Sequence, residues 1–330
     1  MTLRAGVWGT GAWGEKHARV YGALAREGAA VTLAGVFDRD PARAAAVAAE
    51  HGGRAFGSAE ALLDACDVVS VAVPTVDHRA AAEQALAAGV HVLVEKPMAV
   101  TVAEADAMIA AAARSGRVLE VGQVERFNPA LLAARSHVRD PKFIEGHRLA
   151  LFQPRSLDID VVFDLMIHDI DAVLQVAGTA PDHVSAVGVA VLSANEDIAN
   201  ARLEWADGCV ANLTASRVSQ ERLRRLRFFQ SDAYLSVDLF ERTADLVRVD
   251  VAALRRLAGD GARAAAAALP AGPIAAMPGV RLEIEAFLRG IGGGAVGAAP
   301  AWAGREALRI AAAVRDAMKL RARQWSVGSA

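Results

Sequence analysis

Four places in the sequence combine residue type and spacing in a way that chemistry can use. Gly9-Thr10-Gly11-Ala12-Trp13-Gly14 is a G-x-G-x-x-G run. Placed between a strand and a helix, such a run binds a dinucleotide. The first glycine allows a tight turn, the second lets a pyrophosphate approach the backbone, and the third lets the helix pack close to the strand. The free N–H groups of the helix start then face the phosphates. Asp38 lies 24 residues after Gly14, where an acidic side chain hydrogen-bonds a ribose 2′-hydroxyl. Arg39 offers the opposite charge and would suit a 2′-phosphate. Asp38 repels that phosphate, so NAD is expected rather than NADP. Glu95-Lys96-Pro97 supplies an ammonium that can meet an oxygen gaining negative charge. Asp164 and His168 are four residues apart, the spacing that puts two side chains on one face of an α-helix. A histidine titrates near neutrality and suits proton transfer to or from an alcohol. The plainer reading of this pair is a histidine packed between helices, with Asp169 and Asp171 as solvated caps.

These groups need elements to hold them. Through residue 124 the pattern alternates strand and helix. Apolar runs at 3–8, 31–37, 67–73, 90–94 and 118–121 read as five strands, and 12–26, 41–51, 76–88 and 102–114 read as helices. Pro41 suits a first helical turn, and Thr101 with Glu104 forms a capping box. Strands that alternate with helices make a parallel sheet covered on both faces. The glycine run then sits at the end of the first strand, Asp38 after the second, Pro74-Thr75 after the third and Lys96 after the fourth. Those are the carboxyl ends, where open parallel sheets bind ligands.

The rhythm changes after Gly122. A helix is expected over 129–138, a strand over 143–152 and a helix over 161–176. Strands follow at 183–193, 198–218, 224–230 and 233–240, with Asp207-Gly208 turning a hairpin inside the second. An irregular excursion is expected over 257–280, a glycine-rich loop over 290–300 and a final amphipathic helix over 302–323. The fold class is therefore α/β: a parallel-sheet Rossmann domain over 1–124, then an α+β domain over 125–330 with a mostly antiparallel open sheet. The final helix is expected to pack back on the first domain.

Composition narrows the function. The 330 residues are 54% hydrophobic and 22% charged, which suits a globular chain with a large core. The net charge of −2 lacks the basic excess of a nucleic-acid binder. No apolar run reaches the roughly 18 residues of a membrane span, and the N-terminus runs straight into a strand pattern, so no signal peptide is expected. A cytoplasmic protein is expected. Cys66 and Cys209 read as two buried thiols rather than a disulfide or metal cluster. No metal motif is present, and none is expected.

Together, the strand–GxGxxG–helix opening, Glu95-Lys96-Pro97 and Asp164…His168 resemble the Gfo/Idh/MocA oxidoreductase family over essentially the whole chain. The runs 121–130 (VGQVERFNPA) and 161–171 (VVFDLMIHDID) resemble its nucleotide-sugar branch. The resemblance implies a Rossmann domain followed by a domain whose open sheet carries substrate and subunit contacts. It implies that Lys96 and His168 are the catalytic lysine and histidine, with Asp164 the acidic residue one turn earlier. Many members have glycines in that segment, where this chain reads Asp-Leu-Met-Ile-His. The branch implies NAD-dependent oxidation of the C3 hydroxyl of a UDP-sugar, most closely UDP-N-acetylglucosamine, to a 3-keto sugar for later amination. Other readings are a dehydrogenase of another sugar, sugar uronate or polyol, or an enzyme that cleaves glycosides by transient oxidation. A non-enzymatic NAD-sensing regulator would leave Lys96 and His168 without a role.

Further residues are placed around this frame. The cofactor is expected to touch Gly9, Thr10, Gly11, Ala12, Trp13, Gly14, Asp38, Arg39, Pro74, Thr75, His78, Glu95, Lys96 and Gln123. The substrate is expected to touch Lys96, Asn128, Arg155, Asp164 and His168, with the planar fork of Arg155 suited to a phosphate. His17 and His91 read as packed residues, as do Trp8 and Trp13. The open sheet could bury against another copy, so a homodimer or homotetramer is expected.

Overall fold

The structure, a computed structural model, describes residues 2–154, 159–248, 266–269, 279–293 and 299–327. The chain divides into two compact units. The first holds residues 1–124 and 277–308, the second 125–276 and 309–330.

The first unit begins with β1 (Leu3–Trp8), α1 (Ala12–Arg26), β2 (Val31–Phe37), α2 (Pro41–His51), β3 (Arg54–Ala55) and α3 (Ala59–Asp64). It continues through β4 (Val68–Val71), α4 (Thr75–Ala87), β5 (His91–Glu95), α5 (Val102–Ser115) and β6 (Leu119–Gly122). The six strands are all parallel, in the order β3-β2-β1-β4-β5-β6. Strand order reverses on either side of β1, so a crevice opens beyond its carboxyl end, at the Gly9 turn. The central β4 is buried along its whole length and β5 after its first residue, as cover on both faces requires. Side chains set the helix starts: Asp40 accepts from the N–H groups of Ala42 and Arg43, and Thr101 and Glu104 close the expected capping box. The short β3 and α3 are additions to the expected pattern, so 118–121 belongs to the sixth strand and not the fifth. Residues 277–308 also belong with this unit, and include α8 (Gly279–Ile291).

The second unit runs through a 3₁₀ turn (Val124–Phe127), α6 (Pro129–Arg135), β7 (Phe143–Leu149), a π-helical turn (Val162–Met166) and α7 (Ile167–Ala177). Seven strands follow: β8 (His183–Val189), β9 (Ile198–Glu204), β10 (Val210–Ser216), β11 (Leu223–Phe229), β12 (Ala233–Asp238), β13 (Thr243–Arg248) and β14 (Ala266–Leu269). The eight-stranded sheet has the order β14-β13-β12-β11-β7-β10-β9-β8. Among its described residues, only β7 and β10 pair in parallel. Burial alternates along β7, β9, β10 and β12, so one face is covered and the other is open. Helices α6 and α7 pack on the covered face. Asp207-Gly208 makes the expected hairpin, with Gly208 at φ +88°. The last helix, α9 (Ala301–Val327), contains the boundary between the units. Most of the excursion expected over 257–280, and part of the loop over 290–300, lie outside the described residues.

Cys66 and Cys209 are buried thiols, and burial pushes the Cys66 thiol up to about 12.

Candidate active site

In the first unit the candidate residues start at the turn after β1. Gly9 has φ +92°, and a Cβ there would lie 2.6 Å from the Ala72 carbonyl oxygen. A Cβ on Gly14 would lie 1.7 Å from the Gly9 oxygen, so α1 can come this close only with glycine. A Cβ on Gly11 would meet nothing within 4 Å. That open space, over a helix start whose N–H groups have no intrahelical partner, fits a dinucleotide pyrophosphate.

Asp38 stands beside the turn. Its Oδ2 accepts from Thr10 N–H at 2.6 Å and Thr10 O–H at 3.0 Å, and its Oδ1 accepts from Asp40 N–H at 2.9 Å. Burial alone would raise its pKa, but these donors and Arg43 hold the carboxyl below the usual range. A pinned anion is therefore fixed beside the glycine turn, able to accept from a diol and to repel a phosphate. Thr10 serves the site by holding Asp38. Arg39 points to solvent and pairs with Asp77 at 3.2 Å. Trp8 packs edge-on against Phe37, and Trp13 carries Lys16 over its ring at 4.1 Å. His91 Nδ1 accepts from Val118 N–H at 3.0 Å, a structural bond.

Pro74 is the N-cap of α4, and Thr75 is its first residue. His78 turns away from the space over the sheet. Its two ring nitrogens lie 2.9 Å from the backbone oxygens of Pro97 and Val73, and burial pushes its pKa down. It therefore anchors Pro97, next to Lys96, instead of offering a side chain to the cofactor. Glu95 is likewise turned inward: its carboxylate accepts from the Lys96 N–H at 3.2 Å and contacts His17 at 3.0 Å. Lys96 itself is half-buried at the end of β5. Gln123, just beyond β6, is buried, and its amide oxygen has no protein partner among the described residues. It remains a candidate to hold a bound group.

In the second unit the candidate residues are built on the π-helical turn. Asp160 starts it by accepting from the N–H groups of Val162 and Phe163. Asp164 and His168 are both largely buried. A regular helix was expected to turn them into one pocket. The π-turn closes its hydrogen bonds one residue later than an α-helix, which shifts that register. Asp164 lines a cleft of about 160 Å³ with Gln153, Arg217, Arg222, Arg224 and Phe240, whereas His168, in α7, is not part of its wall. Asp169 and Asp171 are not solvated caps. Both are buried, in bidentate pairs with Arg148 and Arg126.

Arg148, on β7, is the centre of a buried ionic group. It holds Asp169 with two bonds of 2.8 and 2.9 Å and donates to Glu125 at 3.0 Å. Burial opposes its charge, but the two carboxylates keep it protonated. Glu125 in turn lies 3.6 Å from Arg224. This group ties α7, and so His168, to the sheet. Arg148→Met is expected to lower stability by about 3–5 kcal/mol, because it leaves buried carboxylates uncompensated. Urea unfolding should read this as an earlier midpoint, and an unchanged midpoint would remove the pair from any role in setting α7.

Other placements differ from expectation. Asn128 caps α6: its oxygen accepts from Ala130 N–H, and its amide donates to Glu125 and to the Leu239 carbonyl. Those bonds direct the side chain to the protein and away from a substrate. Arg155 lies outside the described residues. Arg217, Arg222 and Arg224, which line the cleft, are not among the residues expected from the sequence. Arg217 is tied to Asp197 at 2.8 Å, whereas Arg222 and Arg224 are exposed at the start of β11. The signal was present in the arginine-dense run 222–227, where residues two apart share a strand face.

A family model described as "Oxidoreductase family, NAD-binding Rossmann fold" matches residues 3–123, and the Gfo/Idh/MocA C-terminal domain model matches 130–236. The chain is 41% identical over 318 residues to a UDP-N-acetylglucosamine 3-dehydrogenase from Acidithiobacillus ferrooxidans, covering 96% of this chain and 97% of that one. A solved structure of that enzyme superposes with a TM-score of 0.86, covering 97% and 99% of the two chains. An inositol 2-dehydrogenase from Cereibacter sphaeroides is 34% identical over 177 residues, about half of each chain. A levoglucosan dehydrogenase solved with NADH and levoglucosan shares the fold, with a TM-score of 0.83 at 20% identity over 97% and 98% of the chains.

Proposed function

The chain belongs to the Gfo/Idh/MocA family of NAD-binding oxidoreductases, and from that premise we propose that it oxidises the C3 hydroxyl of UDP-N-acetylglucosamine to the 3-keto sugar. The observation that carries this reading is the 41% identity along nearly the full length of both chains to an enzyme of that activity. The inositol dehydrogenase match extends over only about half of this chain.

A secondary alcohol must lose a hydride from carbon and a proton from oxygen. Bound NAD supplies the hydride acceptor. Lys96 is assigned to the alcohol oxygen, where its ammonium stabilises the developing negative charge. His168 is assigned to take the proton, with Asp164 orienting the base or substrate one turn earlier. Arg222 and Arg224, beside Asp164 in the cleft, are assigned to the substrate diphosphate. Asp38 favours NAD over NADP by repelling a 2′-phosphate.

No helix among the described residues is long and apolar enough to cross a membrane. The same reading places the reaction in the cytoplasm, where the 3-keto sugar would be aminated for a surface polysaccharide or lipid A. It gives the open face of the eight-stranded sheet, with Phe143, Phe229 and Tyr234 stacked at 5.0–5.5 Å, to a second copy in a homodimer or homotetramer.

Incubation with NAD and a panel of UDP-N-acetylglucosamine, its uronate and myo-inositol tests the proposal. NADH should form with UDP-N-acetylglucosamine. NADH from inositol alone would move the chain to another branch of the family. Arg222→Ala should raise KM for the UDP-sugar by about 10- to 100-fold, the loss of one hydrogen bond to a charged group, and leave NAD affinity unchanged. An unaltered KM would take Arg222 out of the diphosphate site.

A further inference from the structure

A buried hydrogen-bonded chain in the first unit has no part in the chemistry above. His17, on the inner side of α1, is fully buried. Its Nδ1 lies 2.9 Å from Ser70 Oγ on β4, and its Nε2 lies 3.0 Å from Glu95 Oε1 at the end of β5. Tyr21, one turn further along α1, brings its hydroxyl to 3.0 Å from Ser70 Oγ. The other oxygen of Glu95 accepts from the backbone N–H of Lys96 at 3.2 Å.

With a neutral His17 ring, donor and acceptor rules give this chain one direction. The Glu95 carboxylate only accepts, so the proton of the neutral ring sits on His17 Nε2. Nδ1 is then an acceptor, and the Ser70 hydroxyl must donate to it. The Ser70 oxygen in turn accepts from the Tyr21 hydroxyl, whose pKa burial raises far above neutrality. The order is Tyr21 to Ser70 to His17 to Glu95, with Lys96 N–H closing on Glu95 from the other side. Glu283, from α8, brings a second carboxylate within 4.8 Å. His17, Glu95 and Glu283 have the donor types a cation would use. However, both ring nitrogens of His17 and both oxygens of Glu95 already contact protein groups, so the cluster works as a clamp.

We propose that His17 is a positioning residue for Lys96. From the helix that opens the dinucleotide turn it holds the Glu95 carboxylate, and Glu95 fixes the peptide that carries the lysine. His78 holds the next peptide through Pro97 O, so residues 95–97 are gripped on both sides. One element thus sets both the cofactor turn and the group that meets the substrate oxygen. The catalytic consequence rests on the role given to Lys96 above, while the clamp itself does not.

The test has two readouts on the full chain. Backbone amide exchange at Lys96 should speed up by about 10- to 100-fold in His17→Leu, the loss of one hydrogen bond to a charged group. It should be partly restored in His17→Gln, whose amide can donate to Glu95. Equal exchange in all three proteins would overturn the clamp whatever the substrate. In turnover with NAD and UDP-N-acetylglucosamine, His17→Leu should lower kcat by about 100-fold, the effect of a reacting group misplaced by about 1 Å. KM and NAD affinity should not change, and Tyr21→Phe, which removes only the far end of the chain, should stay near wild type. If His17→Leu does not fold, His17→Gln carries both measurements and should fall between wild type and inactivity. Wild-type turnover with undiminished kcat in both His17 variants would reduce His17 to a packing residue. Absence of wild-type turnover would sink the substrate assignment and leave the exchange result to decide the clamp.

Discussion

Lys96→Met and His168→Ala are each expected to lower turnover by about 10²- to 10⁴-fold, or about 3–5 kcal/mol of barrier, the range of general acid–base assistance. NAD binding should survive both changes. The proposed reading gives the dinucleotide to the Gly9–Gly14 turn and Asp38, and Lys96 and His168 are on separate elements from these. Methionine keeps most of the length of lysine and removes its charge, so the first variant isolates the electrostatic part. Alanine at His168 removes the proposed base without adding bulk to a buried helix. Single-turnover NADH formation measures the chemical step, and NAD titration measures binding. Near-wild-type single-turnover rates in both variants would return His168 to a packing role and Lys96 to the surface.

Two glycine variants should separate binding from folding. Gly11→Ala puts its Cβ into open space, so the fold should hold while NAD affinity collapses if the methyl takes the place proposed for the pyrophosphate. Gly14→Ala puts its Cβ 1.7 Å from the Gly9 oxygen, a backbone atom that cannot swing aside. That variant should lose NAD binding and stability together, by at least the 1–3 kcal/mol of a typical overpacked site, roughly. Thermal unfolding and NAD titration on the two proteins check this. Tight NAD binding by Gly11→Ala would mean that the open space over the turn is not the phosphate site.

Much of the first unit could be read in the sequence because its signals are local. The glycine run, the Asp38 stop after β2, Pro41 at a helix start and the Thr101–Glu104 box each act within a few residues. The short β3 and α3 were missed because two and six residues are too few to show a period. The return of 277–308 to the first unit also left no local mark. In the second unit, alternation exposed most strands, but the π-turn looks like any apolar helix. Whether a polar side chain faces a ligand or the protein depends on partners far along the chain. Asn128 is bound to the Leu239 carbonyl, 111 residues away, and His17 to Glu95, 78 away. Residue type marked Asn128, His78 and Glu95 as candidates for contact, and tertiary hydrogen bonds turned all three inward.

The central claim is that this chain takes a hydride from C3 of a UDP-sugar. UDP-N-acetylglucosamine carrying deuterium only at C3 tests it most directly, with the NADH formed examined by mass spectrometry. The account predicts that the deuterium is recovered in the reduced cofactor. Unlabelled NADH from the same substrate would show oxidation at another carbon and contradict it.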